Sequence, residues 1–347
     1  KIQMKLNKQL SLLLCGALMV SALAGCGGGK DASSASGSAS DSQSGSVSSG
    51  ASSSDSYVLP NVMVLSGPTG VGAAKLMADN EAVTPEAVAN GEASPVINTA
   101  TVEADNQAVS SALINGDVDI AAVATNVAAS LSAKSEGAVQ VLAVNTLGVL
   151  YILEKGNSVQ SMADLEGRTV YATGQGANPE YILNYLLTQN GLDPAADVTI
   201  QWLTAQEVTA NMLSAEDGVC MLPVPAATAL LMKDPGVRQA LDLSAEWDAV
   251  SSTPLPMGCI VARREFVEEH PEAVDAFLDL YGDSISFMSD EGNRSEAAEL
   301  VAKYGITANA QIAEAAIPQC NLTLLTGEEM QDTVQAYYEV LYRADPA

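Results

Sequence analysis

Histidine occurs once in the 347 residues, tryptophan twice and phenylalanine three times, and fifteen cationic side chains face forty-two acidic ones. The single histidine, in Glu268-Glu269-His270-Pro271, reads as a solvated helix boundary. With no spaced His/Cys/Asp cluster and no G-x-S-x-G elbow, the chain offers no metal centre, no cofactor site and no serine triad. A net charge of −27 argues against nucleic acid as a partner and against basic membrane-surface patches. Five cysteines include no C-x-x-C pair, so neither a zinc cage nor a disulfide framework is encoded.

What is present begins with a leader. Lys1, Lys5 and Lys8 precede an apolar run from Leu10 to Leu23, too short for a stable span, and no acidic residue occurs before Asp31. The run closes on Leu23-Ala24-Gly25-Cys26, which resembles the lipobox of bacterial lipoproteins. The resemblance implies removal of residues 1–25 as a signal peptide and diacylation of Cys26, and two acyl chains give lasting attachment. Gly27 to Ser56 is almost wholly Gly, Ser, Ala, Asp and Gln. Such a stretch buries too little surface to offset chain entropy, so residues 26–56 are expected to be a flexible tether with a mean reach on the order of 30 Å. Cys220, Cys259 and Cys320 then remain among apolar neighbours, allowing at most one disulfide and favouring buried, unreactive thiols.

The folded part is organised around Val62 to Met77, VMVLSGPTGVGAAKLM: four apolar residues, a glycine-rich turn and a helix-compatible run. A turn of this kind points N–H groups and the positive end of a helix dipole at one spot. Gly67 to Gly72 fits the spacing of a nucleotide P-loop, but Ala73 and Ala74 stand where Lys and Ser or Thr are required. Apolar strands at 95–102, 118–124, 139–145, 198–203 and 218–222 alternate with helices at 106–114, 127–135, 181–188 and 226–232. This alternation predicts an α/β fold of two lobes, each with a mostly parallel sheet flanked by helices. Thr146 to Leu153 and Met257 to Ala262 read as two hinge crossings between the lobes. They divide the chain into residues 57–148 (first lobe), 149–256 (second lobe) and 257–347 (a mostly helical return to the first).

The order of Ala112-Leu113-Ile114-Asn115-Gly116-Asp117-Val118-Asp119-Ile120-Ala121, the hinge Asn145 to Tyr151, Asp164-Leu165-Glu166-Gly167-Arg168-Thr169-Val170, Leu222-Pro223-Val224-Pro225 and Ala316 to Asn321 resembles a family. It is that of the lipidated solute-binding proteins of ABC importers, of the two-lobed periplasmic-binding-protein type II, similar to nitrate, sulfonate, taurine and thiamine-precursor binding proteins. The resemblance implies a monomer held by its lipid on the extracytoplasmic face of a bacterial membrane. It implies a cleft that closes on one small molecule and presents it to an ABC permease. Loops at strand ends supply the expected contacts: Pro68, Thr69 and Gly70; Thr125 and Asn126; Gly174, Gln175, Gly176 and Asn178; Pro223; and Thr146 at the hinge. None of these loops carries Arg or Lys. The ligand class is therefore left between an oxyanion, a sulfonate and a pyrimidine-like molecule walled by Tyr151, Tyr171 or Trp202. An enzyme of the same fold acting on a pyrimidine-like metabolite, or a sensing lipoprotein without transport, are the alternative functions.

Overall fold

A computed structural model describes residues 58–344. The signal peptide, Cys26 and the tether expected from the sequence lie outside the described residues. The strands are β1 (Asn61–Leu65), β2 (Thr99–Glu103), β3 (Ile120–Ala124), β4 (Val139–Leu147), β5 (Leu150–Lys155), β6 (Thr169–Ala172), β7 (Thr199–Trp202), β8 (Gly218–Pro223), β9 (Val237–Asp242), β10 (Pro256–Arg263) and β11 (Leu322–Leu325). They form a six-stranded sheet ordered β11-β4-β10-β3-β1-β2 and a five-stranded sheet ordered β7-β6-β8-β5-β9. Both belong to one compact unit. The chain leaves the first sheet between β4 and β5, through Gly148-Val149, and returns to it at β10.

The two-sheet α/β class stands, and the expectation of mostly parallel sheets is corrected to mixed ones. β2, β1 and β3 run parallel, as do β7, β6 and β8, whereas β10 is antiparallel to both β3 and β4, and β5 is antiparallel to both β8 and β9. The reason is directional. β5 and β10 begin at the crossings and run away from them. Strands joined by helical connections, β1, β2 and β3 in one sheet and β6, β7 and β8 in the other, run the opposite way, toward the crossings. The carboxyl ends of these parallel strands, three per sheet, therefore face the crossings, on the side where open α/β sheets take ligands.

Burial follows the apolar runs. Ile120 to Val123 in β3, and Ile152, Leu153, Met221 and Leu222 in β5 and β8, are all buried, consistent with strands covered on both faces. The return segment braces more than the first sheet. Its C-terminal helix, Gly327–Ala344, packs on β4, β10 and the helix Thr125–Lys134, and also on the helix Asn178–Gln189 of the second sheet. The helix Ala310–Ala316 packs on Ala226–Lys233, which follows β8. Cys220, Cys259 and Cys320 are buried free thiols, each pushed up to about 12 by burial.

Candidate functional site

The first turn of the chain after β1 is closed on itself. Gly67 has φ +87°, a left-handed value that favours glycine, and Pro68 opens the short helix Pro68–Val71 with its fixed φ and missing N–H. A methyl group at Gly70 would overlap the Leu65 carbonyl oxygen, so only glycine fits. Ser66 N–H donates to Glu103 O (2.7 Å), Gly67 N–H to Ile306 O (2.9 Å) and Gly70 N–H to Gly67 O (3.0 Å). Three N–H groups that the sequence aimed at a ligand are thus bonded within the protein.

Behind the turn stands Asn145, fully buried in β4. Its Nδ2 donates to the Thr69 carbonyl and to the Tyr281 hydroxyl, both at 2.8 Å, and Thr146 Oγ1 donates to its Oδ1 at 3.3 Å. Burial raises the Tyr281 phenol, which stays a neutral hydroxyl. On the neighbouring strand, a Cβ at Gly258 would lie 2.7 Å from Asn145 Oδ1 and 3.0 Å from Thr69 Oγ1. The absence of a side chain there lets turn and strand meet.

Three successive residues of β10 gather loops from three other strands. Met257 O accepts from Asn178 Nδ2 (3.3 Å), Gly258 lies against Thr69, and Cys259 Sγ donates to Thr125 Oγ1 (3.6 Å). Thr146 is the register partner of Gly258. Pro223 ends β8 opposite Leu150, and the next residue, Val224, donates its N–H to Val149 O (3.0 Å) beside the crossing. Thr69, Thr125, Thr146 and Asn178 are therefore brought to one place, but all four are buried, and the side chains of Thr125, Thr146 and Asn178 are spent on protein partners.

The loop before the helix Asn178–Gln189 is the open one. Gly174 (φ +92°) and Gly176 (φ +72°) take left-handed conformations, and Gln175 and Gly176 are exposed. Gly176 N–H donates to Glu180 Oε2 at 2.6 Å, so a carboxylate of the protein already holds that donor. Asn126 is separated from the rest. It lines a cavity of about 220 Å³ between the helices Asn106–Asn115 and Thr125–Lys134, together with Ser110, Ser130 and Lys134 and with none of the other expected contacts.

The aromatic walls suggested by the sequence lie apart from this cluster. Tyr151 is buried in β5, where burial and Asp242 push its phenol up to about 12, and Trp202 lines a cavity of about 450 Å³ with Asn184 and Ile200 of the second sheet. Tyr171 is half-buried in β6. The residues that the sequence reading missed are Gly258, Glu180, Tyr281, Tyr337 and Tyr338, together with Asn145, which it placed only in the hinge. Asn145 alone carried a signal, as the amide ending the otherwise apolar run that closes Val139–Leu147. Among the described residues no group of three His, Cys, Asp or Glu side chains could hold a metal ion.

Two mixed sheets joined by paired crossings, with strand ends meeting at the seam, define the periplasmic-binding-protein fold, and solved structures share it. An ABC transporter structure from Parabacteroides distasonis superposes with a TM-score of 0.65 at 21% identity, over 83% of this chain and 93% of that one. The periplasmic aliphatic sulphonate binding protein SsuA from Escherichia coli gives 0.62 at 18% identity over 83% and 93%. A putative sulfonate ABC transporter, periplasmic sulfonate-binding protein SsuA from Methylobacillus flagellatus, gives 0.60 at 17% over 83% and 88%. A search of curated proteins returned no match. The family model described as NMT1-like matches residues 94–302, more than half of the chain, and the protein belongs to the NMT1-like family.

Proposed function

We propose that the protein is an extracytoplasmic solute-binding protein that captures a small polar metabolite between its two sheet-bearing lobes and delivers it to an ABC-type permease. One observation carries this reading: turns from both sheets converge on Met257, Gly258 and Cys259 beside the two crossings. Hinged closure at such a seam would bury a ligand and replace its water with protein donors and acceptors. Buried Thr69, Thr125, Thr146 and Asn178 form the rigid back of the site. Pro68, Gly70, Gly174, Gln175, Gly176 and Pro223 form its rim. The leader supports attachment through a lipid on Cys26, outside the cytoplasm. No helix among the described residues is long and apolar enough to cross a membrane.

Fold neighbours named for sulfonates make an alkanesulfonate the first probe. The N–H groups of Ser66, Gly67, Gly70 and Gly176 already have protein acceptors, so a sulfonate held here would draw its donors from other groups of the site or displace one of these bonds. A thermal-shift panel of oxyanions, alkanesulfonates, amino acids and pyrimidines tests the reading. Binding to the native state raises Tm by mass action, so one class is expected to shift it by several degrees. A flat panel on folded protein would overturn solute capture.

A further inference from the structure

The C-terminal helix Gly327–Ala344 packs on β4 and β10 of the first sheet and on the helix Asn178–Gln189 of the second, and two adjacent tyrosines on it reach the first turns of two helices, one from each sheet. Tyr337 OH donates to Asn178 Oδ1 at 2.6 Å, and the same amide donates through Nδ2 to Met257 O at 3.3 Å. A continuous chain of hydrogen bonds therefore ties the C-terminal helix to the Asn178 helix of the second sheet and onward to β10 of the first. Tyr338 OH donates to the Thr125 carbonyl at 3.2 Å, and Thr125 Oγ1 in turn accepts from Cys259.

We propose that Tyr337 and Tyr338 are positioning residues that set the relation between the two ligand-facing loops, Tyr338 holding the Thr125 turn and Tyr337 the Gly174–Asn178 loop. The inference rests on the proposed solute capture for its purpose, though its geometry stands without it. Successive residues on a helix project about 100° apart, so neighbours can address different lobes. The rings are fixed by packing. Tyr337 is fully buried, 5.8 Å from the Trp247 ring, which itself lies 5.2 Å from Tyr185, and 6.4 Å from Tyr338.

Two features suit the pair to this role. Both hydroxyls, which a packed tyrosine ordinarily pairs, here end on the first residues of two helices, one from each sheet. Burial, the largest cause, raises both phenols, with Cys259 adding to each and Tyr338 and Tyr181 adding to Tyr337, so they remain neutral donors throughout the ordinary pH range. A change in the angle between the lobes would strain one bond or the other, and the pair therefore senses lobe movement. Asn178, with both its amide atoms engaged, acts through this chain and not as a ligand contact.

Amide hydrogen exchange on the purified chain, with no solute added, tests the proposal. Tyr337→Phe keeps the ring and removes only the donor. It is expected to speed exchange over residues 174–181 roughly tenfold. Tyr338→Phe is expected to act over residues 125–129 instead. Val340→Ala, a buried change on the same helix, is the control for simple destabilisation and should leave the contrast between the two segments as in the wild type. The proposal fails if Tyr337→Phe leaves 174–181 as protected as before, or if Val340→Ala reproduces either local effect. Should Tyr337→Phe not fold, Tyr338→Phe decides alone by its effect on 125–129. Because no ligand enters the experiment, a flat thermal-shift panel would end the transport reading without touching this one.

Discussion

The turn Ser66–Gly70 and the loop Thr173–Asn178 are built from similar parts: glycine with positive φ, no cationic side chain, and a proline in the first turn of the helix that follows. Their surroundings differ. In the first, Thr69 is 7% exposed and is held by Asn145 and Gly258. In the second, Gln175 and Gly176 are open to solvent, and Glu180 Oε2 accepts from the Gly176 N–H. The same local design is thus buried and braced on one side and open to solvent on the other, the wall and the lip of the proposed cleft. Side-chain donors buried behind a turn decide its rigidity more than its glycine content does.

That contrast can be broken most severely at Asn145. Asn145→Ala removes the donor to both Thr69 O and Tyr281 OH and leaves them buried without it. Denaturant titration should show a loss of about 2–4 kcal/mol. Gly258→Ala attacks the same wall by overpacking, since its Cβ meets Asn145 and Thr69 at 3.0 Å or less. A loss of about 1–3 kcal/mol with an unchanged denaturant slope is expected, and a neutral result would show the wall to be softer than its packing implies. The lip is probed by Glu180→Ala, which should cost only about 0.5–1 kcal/mol, because it removes one exposed helix-start bond. Freeing Gly176 N–H should also enlarge the thermal shift given by ethanesulfonate relative to the wild type. An identical shift in both proteins would place this loop outside the ligand site.

Much of the frame is legible in the amino-acid order. Val62 to Leu65, Val118 to Ala124 and Gly218 to Leu222 announce themselves as apolar strands, and the structure has strands at Asn61–Leu65, Ile120–Ala124 and Gly218–Pro223. Asn115-Gly116 ends its helix with Gly116 in the left-handed conformation, as its composition suggests. Other elements carried weaker signals. β9 reads Val-Arg-Gln-Ala-Leu-Asp, a half-polar edge strand, and β11 spans only four half-buried residues, Leu322–Leu325. The helix Ala205–Ser214 has only two buried residues, Val208 and Met212, so its apolar stripe is thin.

The site was legible only as a set of loops. Thr125 and Asn126 are adjacent in sequence, yet one enters the β10 cluster and the other a separate groove, because neighbouring helical residues point in different directions. Tyr281 lies 136 residues from the Asn145 it bonds, and Tyr337 lies 159 from Asn178. No local pattern encodes such pairings.

By itself, the order of residues determined the class of elements, the glycine positions where the backbone takes positive φ, and the acidic surface. These depend on short-range sterics and on composition. Tertiary structure alone decided which hydroxyls and amides are consumed inside the protein, which turn is buried and which is open, and that the last helix touches elements of both sheets. Each of these depends on which distant groups share a buried space, and hydrogen bonds there must be completed by whatever the fold brings within reach.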